Sequence, residues 1–402
     1  MPDARSPLSD LRVLDLSHNL PGAYCARSLC AYGADVIHVE VPRAGNAIRS
    51  MAPFYKDLPH PEHGGLHNHV NSGKRSVTLD LESEAGRGAL KALAKDADAV
   101  VEDGAPGEME ARGLGYEDLA RTNPSIVTTS ISNFGRRGPY RDYRVSELVL
   151  SGLSGPLYIN GAIDREPVKA GGKIVQFQAG AVAALLTLLA VRSRDRSGVG
   201  SHVDLSTMET QAGTADRWIA VLAHYAYTGD IAGRTRGVIL AGAGVVPTDE
   251  GYVNTLNPTN PSRMKRILNM IGRPELADSR EFGDPMQRLS MVNEEFLLWT
   301  LQHSTQEAVD AALEHGVMVG PVLTHESIHG DAHMLVRRPW IEVEHSDMGV
   351  KSYPVRPSQL SRTPIQVSRP APRLGEHNRE IYCGELGYSR TELARLGRMG
   401  VV

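Results

Sequence analysis

The stretch LRVLDLSHNLPGAYCARSLCAYGADVIHVEVPRAG, Leu11 to Gly45, decides how the rest of the chain is read. Leu11 to Leu16 alternates with β-formers. Pro21 and Gly22 then open a segment with apolar Ala26, Leu29, Cys30 and Tyr32 at helical spacing, and Gly33 follows as a helix stop. Asp35 to Val41 alternates again. Strand, helix and strand in immediate succession form the unit that builds parallel sheets, because parallel neighbours need a crossover where antiparallel ones need only a hairpin.

The same pattern recurs downstream. Ser83 to Asp96 predicts a helix around Leu90, Leu93 and Ala94, with strands at Ala99 to Val101 and Ile126 to Ser130. A long helix from Val175 to Val191 turns through Gly198 and Gly200 into a strand at Val203 to Leu205, and more helix runs through Trp218 and Leu222. This is an α/β arrangement. From Ile231 to Ala241 the chain becomes rich in Gly and Arg, and GYVNTL, SRMKRILNMIG and EEFLLWTLQ then form a smaller mixed region. A proline-rich return segment begins at Gly320, Pro321 and Val322 and ends in a helix around Ser389 to Leu396. The expected division is a large domain over 1–225, a small one over 226–328, and a return of 329–402 to the large domain.

With 402 residues, 41% hydrophobic and 22% charged, the chain can bury a large core and fits neither disorder nor a membrane protein. A net charge of -4 gives no basic field for nucleic acid or anionic lipid, so neither is an expected partner. The apolar run Gly180 to Val191 reads as too short to span a bilayer, and the first residues lack the apolar core of a signal peptide. Cys25, Cys30 and Cys383 have no disulfide or zinc spacing, which points to a reducing, cytoplasmic setting.

Several local motifs have plain readings. The turn HNLPGAYC lacks the spaced glycines of a dinucleotide fingerprint, and neither Gly171–Gly172 nor Gly242–Gly244 carries the Lys-Ser/Thr of a phosphate loop. His60, His63, His67 and His69 in HPEHGGLHNH, with Glu62 nearby, are expected in an exposed loop rather than a metal site, since Gly64 and Gly65 interrupt a helical face. Ser151 and Ser154 in SGLSG do not match a nucleophile elbow and suit a helix start or turn. Glu147 reads as a helix-terminal carboxylate.

Taken in order, LRVLDLSHNLPGAYCARSLCAYGADVIHVEVPRAG, NSGKRSVTLDLES, ADAVVEDGAPGEMEARGLGYEDL, NPSIVTTSISNFGRRGPYRD, EPVKAGGKIVQFQAGAVAALLTLLAVRSRDRSGVGSHVDLS, GVMVGPV and RLGEHNREIY resemble the family III CoA-transferases over almost the whole chain. The resemblance implies a large Rossmann-like domain built from both chain ends, a smaller α+β domain between, and an interlocked dimer. It also implies an aspartate that attacks an acyl-CoA thioester and then carries CoA as an aspartyl thioester; a carboxylate is both nucleophile and leaving group.

At the matching position this chain has Gln176, preceded by Lys173 where the family usually has proline, and no Asp or Glu lies between Lys169 and Ala190. A neutral amide cannot form the reversible anhydride. The Gly-His-Asp of the related racemases falls on Val145, Ser146 and Glu147. In the expected CoA pocket, the family's Asn-Phe-x-Pro-Gly is replaced by Asp103, Gly104, Ala105, Pro106 and Gly107, with Ala111 at the arginine position and Arg112 adjacent. Asp103 and Glu108 are expected to repel polyanionic CoA. Further CoA-binding candidates by resemblance are Asn19, Leu20, Arg43 and Leu79.

These departures imply a noncatalytic subunit, like one subunit of succinyl-CoA:(R)-benzylsuccinate CoA-transferase, paired with a related chain that carries the aspartate. CoA would be a substrate of the complex, with no covalently bound cofactor and no metal. Two alternatives stand: a homodimeric acyl-CoA hydratase, lyase, thioesterase or racemase-like enzyme using His18, Glu147 or Lys173, and a noncatalytic acyl-CoA-binding protein.

Overall fold

The computed structural model describes residues 6–402 except 215, 232, 235–242, 257–259, 355–357 and 366–368. The Gly- and Arg-rich stretch from Ile231 to Ala241 therefore lies mostly outside the described residues. The chain divides into two compact units, one of Met1–Asn160, Pro167–Arg234 and Arg338–Val402, the other of Gly161–Glu166 and Thr235–Arg337. These divisions fall later than 225 and 328, where composition alone set them, because a helix crosses each of those points and a further short one, Ala332–Arg337, follows the second.

The larger unit is built on six strands: β1 (Arg12–Asp15), β2 (Asp35–Glu40), β3 (Arg75–Thr78), β4 (Ala99–Glu102), β5 (Val127–Ser132) and β6 (His202–Ser206). They pair in parallel in the order β3-β2-β1-β4-β5-β6, with Val13 opposite both Val36 and Ala99. This is the doubly wound order, in which the chain reverses direction across the sheet between β1 and β4.

Side chains alternate across the strands. Val13, Val36 and Val101 face a core completed by Cys25, Leu29, Ala179 and Ala183, whereas Leu14, Ile37 and Val100 face a core completed by Leu90, Leu93, Ile381 and Tyr382. The first core is covered by α1 (Leu20–Ala31) and by a long helix over Ile174–Ser197. Where these two helices cross, a Cβ on Gly180 would stand 2.5 Å from the Pro21 carbonyl, so only glycine permits the approach. The short helix α2 (Gly65–Asn71) lies beside α1, and α3 (Glu84–Ala94), started by Ser83 accepting from the Gly86 amide, covers the second core.

The return segment closes the exposed edge of β3. The His377 amide donates to the Ser76 carbonyl at 2.9 Å, the Thr78 amide to Asn378 Oδ1 at 2.8 Å, and the Tyr382 hydroxyl to the Thr78 carbonyl at 2.8 Å. An edge strand is thereby satisfied without another strand. Further helices of this unit are α4 (Glu108–Ala111), α5 (Tyr116–Ala120), α6 (Glu147–Leu153), α7 (Ile174–Ser197), α8 (Thr207–Thr214) and α9 (Asp216–Thr228), with a C-terminal one over Arg390–Arg398. In the other unit, a three-stranded antiparallel sheet of Ala243–Pro247, Tyr252–Leu256 and Val319–Pro321 accompanies helices over Pro261–Met270, Pro285–Thr300 and Thr305–His315.

Two sequence expectations change. The histidine-rich segment is not an exposed loop throughout: Gly64 precedes α2, and His67 is buried on it with its ring Nδ1 2.9 Å from Asn71 Nδ2. α7 runs to Ser197, and at 24 residues it is long and apolar enough to cross a membrane by length and composition, which Gly180 to Val191 alone did not suggest. One face of it packs on α1; Leu185 and Leu189 on another are each 56% exposed.

Beneath the carboxyl ends of β1 and β2, and reached by Lys74 from the amino end of β3, lies a buried ionic network. Lys74 Nζ donates to Asp15 Oδ2 at 2.7 Å, Asn71 Oδ1 at 2.8 Å and the Ala23 carbonyl at 2.9 Å. Arg49 makes paired bonds to Glu40 at 2.7 and 2.8 Å and reaches Glu62 at 2.6 Å. Burial alone would raise the Asp15 and Glu40 carboxyls. Lys74 and His38 overcome it at Asp15, holding that carboxyl well below its ordinary range, and His38 and Arg49 bring Glu40 down to about 2. Because both folded values lie below the unfolded ones, their stabilisation is complete above the unfolded values and is lost as pH falls through the folded ones. Thermal melts should therefore show a midpoint that falls steeply as pH is lowered from about 4.5 to 2; a midpoint unchanged across that interval would contradict the network.

Candidate functional site

The carboxyl ends of β1 and β4 diverge at the switch in strand order, where open α/β sheets receive their ligands. A cavity of about 690 Å³ opens there, with His18, Asn19, Asp103, Glu147 and Gln176 in its walls. His18 and Asn19 belong to the turn from β1 into α1, Asp103 directly follows β4, Glu147 begins α6, and Gln176 stands in the first turn of α7. Four segments far apart in sequence thus converge because the parallel sheet puts every strand-to-helix turn on one side.

Asp103 is a buried charge. Its carboxylate is 7% exposed and accepts from the His18 amide at 2.7 Å, the Asn19 amide at 3.0 Å and the Gly22 amide at 3.1 Å. It caps α1 from across the sheet switch. Burial raises the carboxyl, and these amides pull against that rise. Gly22 makes the approach possible, since a Cβ there would lie 2.8 Å from Asp103 Oδ2. Burial also pushes Glu102 up to about 7, although Ser130 and the Gly104 amide at 3.0 Å favour its charged form.

Glu108 and Arg112 neutralise each other. The Arg112 guanidinium bonds Glu108 at 2.8 Å and also Glu82, so Arg112 is committed to protein carboxylates. Glu108 Oε2 accepts the Ala105 amide at 2.8 Å and lies 2.7 Å from where a Cβ on Gly104 would stand. The space beside Gly104 holds a carboxylate.

Around Gln176 the carboxylate in the wall is Glu147. Its Oε1 lies 3.4 Å from both Lys169 Nζ and the Val175 amide, at the start of α7, and its Oε2 has no hydrogen-bond partner among the described residues. Of the three acid/base candidates, His18 and Glu147 line the cavity with Gln176; Lys173 is the exposed residue before α7 and does not.

The structure corrects the CoA-contact candidates in part. Leu20 packs with Ala23, Ile48 and Val70, and Leu79 with Leu14 and Val77, so neither side chain faces a ligand. Arg43 stands exposed, away from the cavity walls, with its backbone at φ +63°. Asn19, Asp103 and Gly104 do line the cavity. Arg141, Tyr143 and Arg144 line it as well. The run GRRGPYRDYR just after β5 was their signal in the sequence, a concentration of guanidinium and phenol groups next to a strand's carboxyl end. Among the described residues no group of three or more His, Cys, Asp and Glu is placed to hold a metal ion.

A model of CoA-transferase family III matches residues 8–378. The chain is 32% identical over 405 residues to the succinyl-CoA–D-citramalate CoA-transferase of Chloroflexus aurantiacus, covering 98% of each. It is 33% identical over 410 residues, again 98% of each, to subunit BbsE of the succinyl-CoA:(R)-benzylsuccinate CoA-transferase of Thauera aromatica. The crystal structure of a CaiB/BaiF family protein from Brucella suis superposes with a TM-score of 0.84 at 25% identity, covering 94% of this chain and 99% of that one.

Leu20→Ala separates a packing role from a ligand contact. It should destabilise the fold by about 2–5 kcal/mol in urea unfolding, while any ligand affinity of the folded fraction stays unchanged. A variant of unchanged stability with lost ligand binding would return Leu20 to the site.

Proposed function

The chain belongs to the family III CoA-transferases, and on that footing we propose that it is a subunit moving CoA from an acyl-CoA donor such as succinyl-CoA to a carboxylic acid, with the covalent carrier supplied by a related partner chain. The observation that carries this reading is Gln176 in the cavity wall, in the first turn of α7. Family chemistry needs a carboxylate there, which displaces the CoA thiolate to form a mixed anhydride; that thiolate then attacks the aspartyl carbonyl, breaks the anhydride C–O bond, expels the donor acid as its carboxylate and leaves CoA held as a thioester. An amide carries no charge to drive the first step and gives no anhydride for the second.

Two further observations support a partner. The exposed Leu185 and Leu189 leave an apolar stripe on α7 of the kind that interfaces cover, and one of the relatives above is named as a subunit. In this reading the two chains form the interlocked dimer of the family in the cytoplasm, where Cys25 and Cys30 stay as buried thiols. The acceptor is a branched or aryl-substituted dicarboxylic acid, by likeness to the acids in the relatives' names; Arg141 and Arg144 in the wall suit a second carboxylate.

A second reading draws on Glu147. Its unpartnered Oε2 favours a homodimeric acyl-CoA enzyme that uses this carboxyl as its acid or base. Mass spectrometry of the isolated chain incubated with succinyl-CoA and an acceptor acid separates the two. The subunit reading expects no CoA exchange and no hydroxylamine-sensitive adduct. Turnover by the isolated chain that Glu147→Gln abolishes would contradict it and establish the second reading.

A further inference from the structure

The amide groups that open α1 stand at the switch between β1 and β4, where an open α/β sheet ordinarily meets the anionic part of its ligand. In this chain they are already taken. Asp103 Oδ1 accepts from the His18 and Asn19 amides at 2.7 and 3.0 Å and from Asn19 Nδ2 at 3.3 Å, while Oδ2 accepts from the Asn19 and Gly22 amides, each at 3.1 Å. All these partners are donors, so the array suits the anion; a carboxyl proton would point at an N–H group. Gly22 has no side chain to keep the carboxylate out, and the neighbouring Gly104 leaves its space to Glu108 Oε2, 2.7 Å from where a Cβ would be. The wall that follows β4 is therefore filled from within by two carboxylates, one buried on a helix end and one held by Arg112 at 2.8 Å.

We propose that Asp103 is a resident anion, which occupies the α1 end of the cavity and excludes CoA and other polyanionic ligands from this chain. It determines specificity by occupancy: a ligand phosphate or carboxylate would have to displace a carboxylate already held by the backbone, or lie against its charge at close range. The inference rests on the reading that the partner performs the covalent chemistry, but it concerns binding alone. A chain that forms no adduct yet binds CoA tightly would overturn this inference and leave that reading in place.

The test is equilibrium dialysis of the isolated chain against free CoA, for wild type, Asp103→Asn and Glu108→Gln at one fixed ionic strength. Asparagine keeps a carbonyl oxygen for the α1 amides and removes the charge. Asp103→Asn should bind CoA about tenfold more tightly than wild type, or better. Glu108→Gln, paired and partly exposed, should change affinity by less than about threefold. Equal affinity in wild type and Asp103→Asn overturns the proposal. So does an equal gain from Glu108→Gln, which would assign the exclusion to a general negative field. If Asp103→Asn does not fold, wild type decides: saturable CoA binding tighter than about 0.1 mM overturns the proposal, and no saturation at that concentration is the expected result.

Discussion

The buried ammonium of Lys74 is the constraint around which the larger unit is arranged. A charge with no solvent must have its hydrogen bonds made by the protein, or burial costs more than packing returns. Lys74 receives acceptors from β1 through Asp15, from α1 through the Ala23 carbonyl and from α2 through Asn71. The three elements cannot move independently without leaving that charge unpaired. The network continues through His38 to Glu40 and Arg49, and Arg49 donates to the Pro372 carbonyl at 3.0 Å, while Glu62 and Ser76 accept the amides of Leu374 and Gly375. A return segment about three hundred positions away is thereby tied to the first three strands.

The arrangement divides the carboxyl side of the sheet into two regions. Over β1, β2 and β3 the charges are paired and closed off from solvent. Between β1 and β4 the helices part and leave a cavity, whose walls come from turns that the sheet brings together. Asp103 belongs to both regions, as a cap for α1 and as part of the cavity wall. A site can keep its scaffold in this way while its chemistry changes, because the groups that hold the fold and those that would react are largely different side chains.

What the sequence revealed follows from the range of the forces involved. Leu11 to Gly45 was legible because strand and helix periods are local, and α1, β1 and β2 lie within a residue or two of where those periods put them. β3 escaped notice because RSVT is short and three of its four residues are polar, and its burial comes from Ile381 and Tyr382 at the other end of the chain. The hairpin of Trp340–His345 with Gly349–Pro354 was hidden for a related reason: prolines flank it, and its alternating Ile341 and Val343 pack on Ala31. In the site, Gln176 was readable because motifs on both sides fix its register. Asp103 was readable as a charge that repels CoA but not as a helix cap, since only the folded chain shows it buried on amides from residues 18 to 22. Leu20 and Leu79 were placed near a ligand by sequence register, and the pleat and helix face turn both into the core.

The central claim is that this chain shares a complex with a relative bearing the carboxylate that Gln176 replaces. The most direct test is the intact mass of the native complex purified through this chain from its own cells, with denaturing masses of the components. The account predicts a second, related chain in equal amount, with aspartate at the position equivalent to Gln176. A single component at twice the mass of this chain, active in CoA exchange, would contradict it.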